Sequence, residues 1–424
     1  GSTMPTLFAF GHAHIDVAYL WPLAHTTRKI ARSFANQLEL IDRYGRHRFL
    51  QSQPYLYWMT KTHYPELYDR VRKAVQSGHI IPDGGMWVEA DTNIPSGESL
   101  IRQFLHGKRF FREEFGVDNK VLWLPDVFGY SGAMPQIMKG CGIEYFSTQK
   151  IWWLYYGGDP FPFNNFIWEG IDGSEVLVHL HNDYNSMTDP SATIRRWNDR
   201  VQKDDIETFL FPFGWGDGGG GPCRDHMEFL ERQKDLEGAP RMRLASPLEF
   251  FRDLEKRHNP NRYVGELYLQ NHRGTSTSQA RTKRGNRKSE VALREGEMWG
   301  VAASALTDAS WPAAKMDAAW KKVLLNQFHD IIPGSSIRRV HEEAETAYAE
   351  VIREANLMAT DSMRRLVRQD EDALTVFNSL NWTRRELVEL PKNFRGAVDD
   401  DGTALEVQDF AEGKLVEVEV PSCG

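Results

Sequence analysis

From Leu7 to about residue 257, short apolar runs alternate with longer segments whose hydrophobic residues recur every three or four positions. That double periodicity is the pattern of successive βα units around a largely parallel sheet, and it constrains the fold more than any other feature of the chain. The spacing predicts strands at Leu7–Phe10, Val121–Leu124, Val176–Leu180, Phe209–Phe213 and Met242–Leu244, and helices over Thr26–Tyr44, Tyr64–Ser77 and Ser96–Phe115. A further helix start is marked by Ser246-Pro247-Leu248-Glu249, which joins an N-cap serine, a first-turn proline and a capping-box glutamate. The alternation ends near His258.

Residues 259–285 read as a connector that passes through a basic run, Arg281-Thr-Lys-Arg-Gly-Asn-Arg-Lys288, expected to be the solvated start of a helix. From 286 to 369 the residues are almost all helix formers, interrupted at Asp308–Pro312 and Pro333–Ser336, with Val340, Ala344, Ala347, Val351 and Ala355 at helical spacing. This predicts a three-helix bundle. From 370 to 424 the runs become β-like and read as the beginning of a further β domain. The formal charge of −8 argues against a nucleic-acid partner, and no stretch has the length of a membrane span. Three scattered cysteines, Cys141, Cys223 and Cys423, fit a reducing compartment and a cytoplasmic location.

Four segments carry chemistry. Directly after the first strand lies Gly11-His12-Ala13-His14-Ile15-Asp16. His14 and Asp16 are two apart, so extended backbone sends them to one side, and imidazole with carboxylate suits a divalent metal such as zinc. After the second predicted strand comes Leu124-Pro125-Asp126-Val127-Phe128-Gly129-Tyr130-Ser131, where Asp126 could be catalytic or could form an Asx-turn or helix cap. Another strand ends in Gly214-Trp-Gly-Asp217-Gly-Gly-Gly-Gly221-Pro222. An aspartate within that glycine run would repel a pyrophosphate, and no P-loop lysine follows. The run suggests close approach of a ligand, with Asp217 near its reacting bond, or else a flexible solvent loop. The fourth is Asn326-Gln-Phe-His329-Asp330-Ile-Ile-Pro-Gly-Ser-Ser336, where a buried, locally satisfied histidine is the ordinary expectation. Together these segments supply two histidines and two carboxylates for a metal, plus one carboxylate more, which is an inventory for metal-assisted glycoside hydrolysis.

With Phe49-Leu-Gln-Ser-Gln-Pro54, Gly84-Gly-Met-Trp-Val-Glu89, His272-Arg-Gly-Thr275 and Ser278-Gln-Ala-Arg-Thr-Lys-Arg284 added, the chain resembles family 38 of the glycoside hydrolases, the class II α-mannosidases, most closely their cytosolic and bacterial branch. The resemblance runs from about Leu7 to Val376-Phe377-Asn378-Ser379. It implies a seven-stranded β/α barrel over 1–258, then a three-helix domain, then β-sandwich domains. It further implies a Zn²⁺ ion held by His14, Asp16, Asp126 and His329, with Asp126 also the nucleophile of a retaining reaction and Asp217 the general acid/base. Asp330 and Phe128 would contact the sugar, and the substrate would be a mannose-containing oligosaccharide. Tyr19 stands where the family usually has a stacking tryptophan, which leaves a smaller aromatic face. A polysaccharide deacetylase would also present His and Asp at strand ends, but it needs a metal-activated water where a mannosidase needs a carboxylate nucleophile and a separate acid. The family carries more β structure than residues 370–424 supply, so activity of this chain by itself, like its self-association into a homo-oligomer, is left open.

Overall fold

A computed structural model of the chain describes residues 4–153, 160–203, 207–257, 261–368, 370–411 and 413–424. The expected boundaries at 258/259 and 369/370 touch residues outside that set. The elements run β1 (Thr6–His12), α1 (Leu23–Tyr44), β2 (Phe49–Leu50), α2 (Pro54–His63), α3 (Pro65–Gln76), β3 (Ile80–Ile81), α4 (Gly97–Phe115), β4 (Val121–Trp123), α5 (Met134–Gly140), β5 (Tyr145–Thr148), β6 (Asn165–Glu169), β7 (Glu175–Leu180), α6 (Pro190–Asn198), β8 (Thr208–Phe213), α7 (Arg224–Gln233), β9 (Arg241–Leu244), α8 (Pro247–Lys256) and β10 (Arg262–Val264). Three long helices follow, α9 (Ala280–Leu306), α10 (Ala313–Asn326) and α11 (Arg338–Leu366), then β11 (Arg384–Leu390), β12 (Val407–Phe410) and β13 (Gly413–Val420).

Residues 1–290 and 321–349 form one compact unit, and residues 291–320 and 350–424 another. In the first unit, β1 pairs in parallel with β8 on one side and with β9 and β2 on the other, and β3 continues beyond β2. A second sheet has the order β10-β6-β7-β5-β4, parallel except where β6 meets β7. In this unit the strands among the described residues are registered as two five-stranded sheets. The sheets meet at two seams. Beyond β7, Ser186 makes a parallel bridge to Phe213 at the end of β8. Before β4, the Asn119 carboxamide donates to Pro82 O and Asp83 Oδ1 just past β3. A strand of two residues such as β3 is too short to propagate a ladder, so a side chain makes the link there.

The alternation of β1 explains the core. Phe8 and Phe10 join Leu50, Val121, Trp123, Tyr145 and Leu210 in a cluster drawn from both sheets and closed by Phe250 and Phe251 of α8. Leu7 and Ala9, on the other face, pack with Leu40 of α1 and Met227 of α7. Burial on both faces is why β1 reads as a continuous apolar run. The Ser246 hydroxyl accepts from Glu249 N while Glu249 reaches back to Ser246 N, the reciprocal cap expected for α8. The basic run lies in the first turns of α9 with internal partners: Lys283 Nζ donates to Ile332 O, and Arg287 pairs with Glu290 at 2.7 Å.

In the second unit, β11, β13 and β12 form an antiparallel sheet. Asn378 ties its strand ends by donating to Trp382 O and Pro421 O, and Arg294 and Glu295 of α9 bond Ser379.

One close approach positions the segment that leads into the site. A Cβ on Gly107 of α4 would lie 2.3 Å from Gly85 O and 2.8 Å from Trp87 N, so helix and segment touch backbone to backbone. Gly107→Ala is therefore expected to lose about 1–3 kcal/mol to overpacking, more than the roughly 1 kcal/mol that alanine returns in helix propensity. Urea denaturation measures this, and an unchanged or raised midpoint would rule out the backbone contact.

Candidate active site

The parallel strands deliver their C-terminal ends to one face, the usual location of chemistry in βα folds. His14 and Asp16 follow β1, Asp126 follows β4, Lys150 follows β5, Tyr184 follows β7 and Asp217 follows β8. His329 arrives from the turn after α10, in the same compact unit. One donor atom each from His14, Asp16, Asp126 and His329 fall within 4.8 Å of one another, and all four residues are buried. His14 Nε2 lies 2.8 Å from Asp16 Oδ1 and 3.8 Å from Asp126 Oδ2. His329 Nε2 lies 3.4 Å from Asp16 Oδ1 and 3.8 Å from Asp126 Oδ2.

Glu89, which lies in the Gly84–Glu89 motif but has no role legible from it, stands behind both histidine rings. Its carbonyl accepts His329 Nδ1–H at 2.8 Å, and its carboxylate stands 3.3 Å from His14 Nδ1 and takes the Ser52 hydroxyl at 2.5 Å. Both Nε2 atoms face the cluster, and His329 Nε2, like His14 Nδ1 and Glu89 Oε2, is buried without a hydrogen-bond partner. Burial alone would push the His14 imidazole down, but Asp16 and Glu89 outweigh it and hold it well above its ordinary value. Burial likewise opposes charge on His329, yet Asp16 and Asp330 raise it to about 9. Asp16 shows the converse: desolvation would raise it, and the two histidines carry it well below the usual carboxylate range. The pocket is built around positive charge. A tetrahedral zinc with ligands at roughly 2.0–2.2 Å sets its donors about 3.3–3.6 Å apart, so the spacing, the inward nitrogens and the orphaned Nε2 fit such an ion.

Beside the cluster, Asp126 Oδ1 receives Lys150 Nζ at 2.6 Å and the Tyr184 hydroxyl at 3.2 Å. The same hydroxyl lies 3.0 Å from Asp217 Oδ1. Asp126 Oδ1 and Asp217 Oδ1 can therefore be no more than about 6.2 Å apart, the sum of those two bonds. Burial, then Asp126 and Asp217, push the Tyr184 phenol far up and keep its proton in place. Lys150 and Tyr184 were also missed. Neither follows a predicted motif, although Tyr184 lies four residues past a predicted strand.

Asp217 sits at φ +42°, a left-handed conformation that costs a non-glycine residue roughly 1–2 kcal/mol. Its loop is a hairpin closed by the Trp215–Gly221 bridge. Glycine is needed for fit here: a Cβ on Gly214 would lie 2.7 Å from His12 O. A cavity of about 540 Å³ opens beside Asp217 and Tyr184, with Asn182, Asn185 and Arg196 in its wall. Phe128 packs 5.9 Å from the His329 ring and 4.6 Å from His272. Asp330 is buried, accepts the Ser335 hydroxyl and is raised to about 7, first by desolvation and then by Asp16. Tyr19 is partly exposed, and desolvation, followed by Asp330, Asp16, Asp217 and Asp126, raises its phenol. Asp91 and Asp183 are committed elsewhere: Asp91 accepts Asn93 N and Ile94 N in an Asx-turn, and Asp183 is paired with Arg196.

Comparison with known proteins agrees with this geometry. The family model described as "Glycosyl hydrolases family 38 N-terminal domain" matches residues 4–273, and "Alpha mannosidase middle domain" matches 270–366. Alpha-mannosidase G of Dictyostelium discoideum is 43% identical over 363 residues, which cover 85% of this chain and 33% of that protein. Human Alpha-mannosidase 2C1 is 40% identical over 398 residues, 92% of this chain and 38% of that one. The chain thus spans about a third to two fifths of the length of these relatives. The crystal structure of an alpha-mannosidase from Enterococcus faecalis superposes with a TM-score of 0.80 at 20% identity, over 98% of this chain and 54% of that one, a likeness of fold. With both family models matched in sequence order, and with relatives of 40% identity and more over most of its length, the chain belongs to glycoside hydrolase family 38, the class II α-mannosidases.

Proposed function

We propose that the chain holds the catalytic centre of a zinc-dependent, retaining α-mannosidase that removes terminal α-linked mannose from oligosaccharides. The observation that carries the reading is the Tyr184 hydroxyl set between Asp126 and Asp217, beside the four-residue donor cluster. Retaining glycosidases keep their two carboxyl groups about 5–5.5 Å apart, and inverting ones roughly 6.5–9.5 Å apart. The Asp126 and Asp217 oxygens that share the Tyr184 hydroxyl, within about 6.2 Å of each other, are compatible with the retaining arrangement. In the same reading β1, β2, β3, β4, β5, β7 and β8 make up the family's seven-stranded ring, joined at the two seams.

Asp126 is the nucleophile, because one of its oxygens faces the donor cluster and the other faces Lys150 and Tyr184. The Lys150 ammonium pairs with Asp126 at 2.6 Å and does not pair with Asp217, which suits Asp126 to the nucleophile's part and leaves the acid's part to Asp217. Asp217 then protonates the departing oxygen and afterwards takes a proton from water. When bound, zinc would serve as a Lewis acid that fixes sugar hydroxyls and the ring's orientation. Phe128, Tyr19 and Asp330 would border the mannose. No helix among the described residues is long and apolar enough to cross a membrane. Cys141, Cys223 and Cys423 are unpaired, which supports a cytoplasmic setting.

The reading is tested by metal analysis of the purified chain together with hydrolysis of an aryl α-mannoside. One zinc per chain and release of the phenol are expected. Folded protein without metal, or without activity after zinc is added, would count against it. A finer prediction concerns Glu89. Glu89→Gln removes the charge behind His14 while leaving the carbonyl that holds His329, so metal affinity should fall about 10- to 100-fold, read by competition with a chromophoric chelator. Unchanged affinity would deny Glu89 that part.

A further inference from the structure

The loop that carries Asp217 is bound by one stretch of α1. Arg32 Nη2 donates to Gly218 O at 3.1 Å, the Ser33 hydroxyl donates to Gly219 O, and Gln37 Nε2 donates to Pro222 O at 3.1 Å. The His14 carbonyl accepts Gly218 N at 3.1 Å and Gly219 N at 3.3 Å, and Asn185 Oδ1 accepts Gly216 N at 3.0 Å. This loop rich in glycine is therefore hydrogen-bonded on either side of its aspartate. Ser33 and Gln37 are fully buried on a helix that otherwise buries Ile30, Phe34, Leu38 and Ile41. Serine is a weaker helix former than alanine, and a buried polar group costs stability unless it is partnered, so where these two side chains find their partners matters. Besides Lys29 O, 2.9 Å from the Ser33 hydroxyl, and His47 Nε2, 2.9 Å from Gln37 Oε1, their partner is the loop. A Cβ on Gly219 would lie 2.6 Å from Ser33 Oγ, so the loop backbone is seated directly on the serine.

We propose that Ser33, aided by Arg32 and Gln37, is a positioning residue for the acid/base. By holding the carbonyls of Gly218, Gly219 and Pro222, α1 keeps Asp217 in its left-handed conformation with its carboxyl at Tyr184. This rests on the reading of Asp217 as acid/base. The backbone of the loop is tied to His14 and its carbonyls to α1, so the acid and the donor cluster share one support.

The test compares kcat/KM for α-mannobiose and for aryl α-mannosides of graded phenol acidity. A misplaced acid slows poor leaving groups and spares good ones, whereas a general loss of structure slows all alike. Ser33→Ala is expected to lower kcat/KM about 10- to 100-fold on α-mannobiose and less than about 3-fold on a dinitrophenyl mannoside. Ser33→Thr, which keeps the hydroxyl, should recover most of the loss. Arg32→Ala, at an exposed position that cannot disturb the core, should shift the dependence in the same direction by a smaller factor. Equal losses on all substrates, or none on α-mannobiose, would overturn the positioning role. Asp217→Ala is measured alongside. If it shows the leaving-group dependence and Ser33→Ala does not, only the positioning proposal falls; if Asp217→Ala shows none, the acid/base reading falls and takes this proposal with it.

Discussion

Asp126→Asn is expected to reduce hydrolysis of every α-mannoside by about four orders of magnitude or more, whatever the leaving group, because it removes the atom that forms the covalent bond. The substitution is nearly isosteric, so a smaller effect could not be blamed on a lost shape. It removes charge from two places. On one side Asp126 Oδ2 faces His14 and His329, and metal affinity should fall. On the other, the Lys150 ammonium, almost wholly buried, loses the carboxylate at 2.6 Å that matches it. Removing one partner of a buried pair typically costs about 3–5 kcal/mol, chiefly through the charge left behind. The variant should therefore melt lower than the parent, and Asp126→Asn combined with Lys150→Met should recover part of that stability without any activity. Turnover by Asp126→Asn within tenfold of the parent would sink the assignment. The stereochemistry is a separate check on the parent: NMR during hydrolysis should show α-mannose formed first, and β-mannose first would overturn retention.

How much of this was legible depended on whether a residue's surroundings are local in sequence. His14 and Asp16 could be paired from their spacing, because they leave a fully buried strand whose apolar run is unmistakable. Ser246 and Glu249 could be read as a cap for the same reason. Glu89 could not be given its role, since it aims one histidine 75 residues before it and another 240 residues after it, partly through its backbone carbonyl. Lys150 and Tyr184 act on Asp126 from 24 and 58 residues away. The strands that present such residues are often too short to show a period: β2 and β3 have two residues each, and only their place in the sheet defines them. The expected ring of seven strands met the same limit. At one seam the link is an asparagine side chain and at the other a single bridge, and neither leaves a pattern in the sequence. The glycine run was found but the bonds that seat it were not, because they come from α1, about 185 residues earlier in the chain.

Asp217→Ala should separate bond breaking from bond repair. The acid matters in proportion to how poorly the leaving group departs unaided, so kcat/KM on α-mannobiose should fall about 10²- to 10⁴-fold, while an activated aryl mannoside should be attacked by Asp126 at close to the parent rate. The same residue must later take a proton from water, and without it the glycosyl-enzyme accumulates. Stopped-flow measurement should then show a burst of phenol followed by slow turnover. Azide is an anion and needs no base, and the cavity of about 540 Å³ beside Asp217 gives it an approach once the carboxylate is gone. Added azide should therefore restore turnover and yield α-mannosyl azide, with configuration retained through two inversions at the anomeric carbon. β-Mannosyl azide would instead mean a single displacement and would remove Asp126 from the covalent role. Parent-like hydrolysis of α-mannobiose would remove Asp217 from the acid role. Asp91 and Asp183 would then have to be reconsidered, although the first is spent on an Asx-turn and the second on Arg196. Asp217 is favoured over both because its carboxyl shares the Tyr184 hydroxyl with Asp126 and so faces the nucleophile across one side chain.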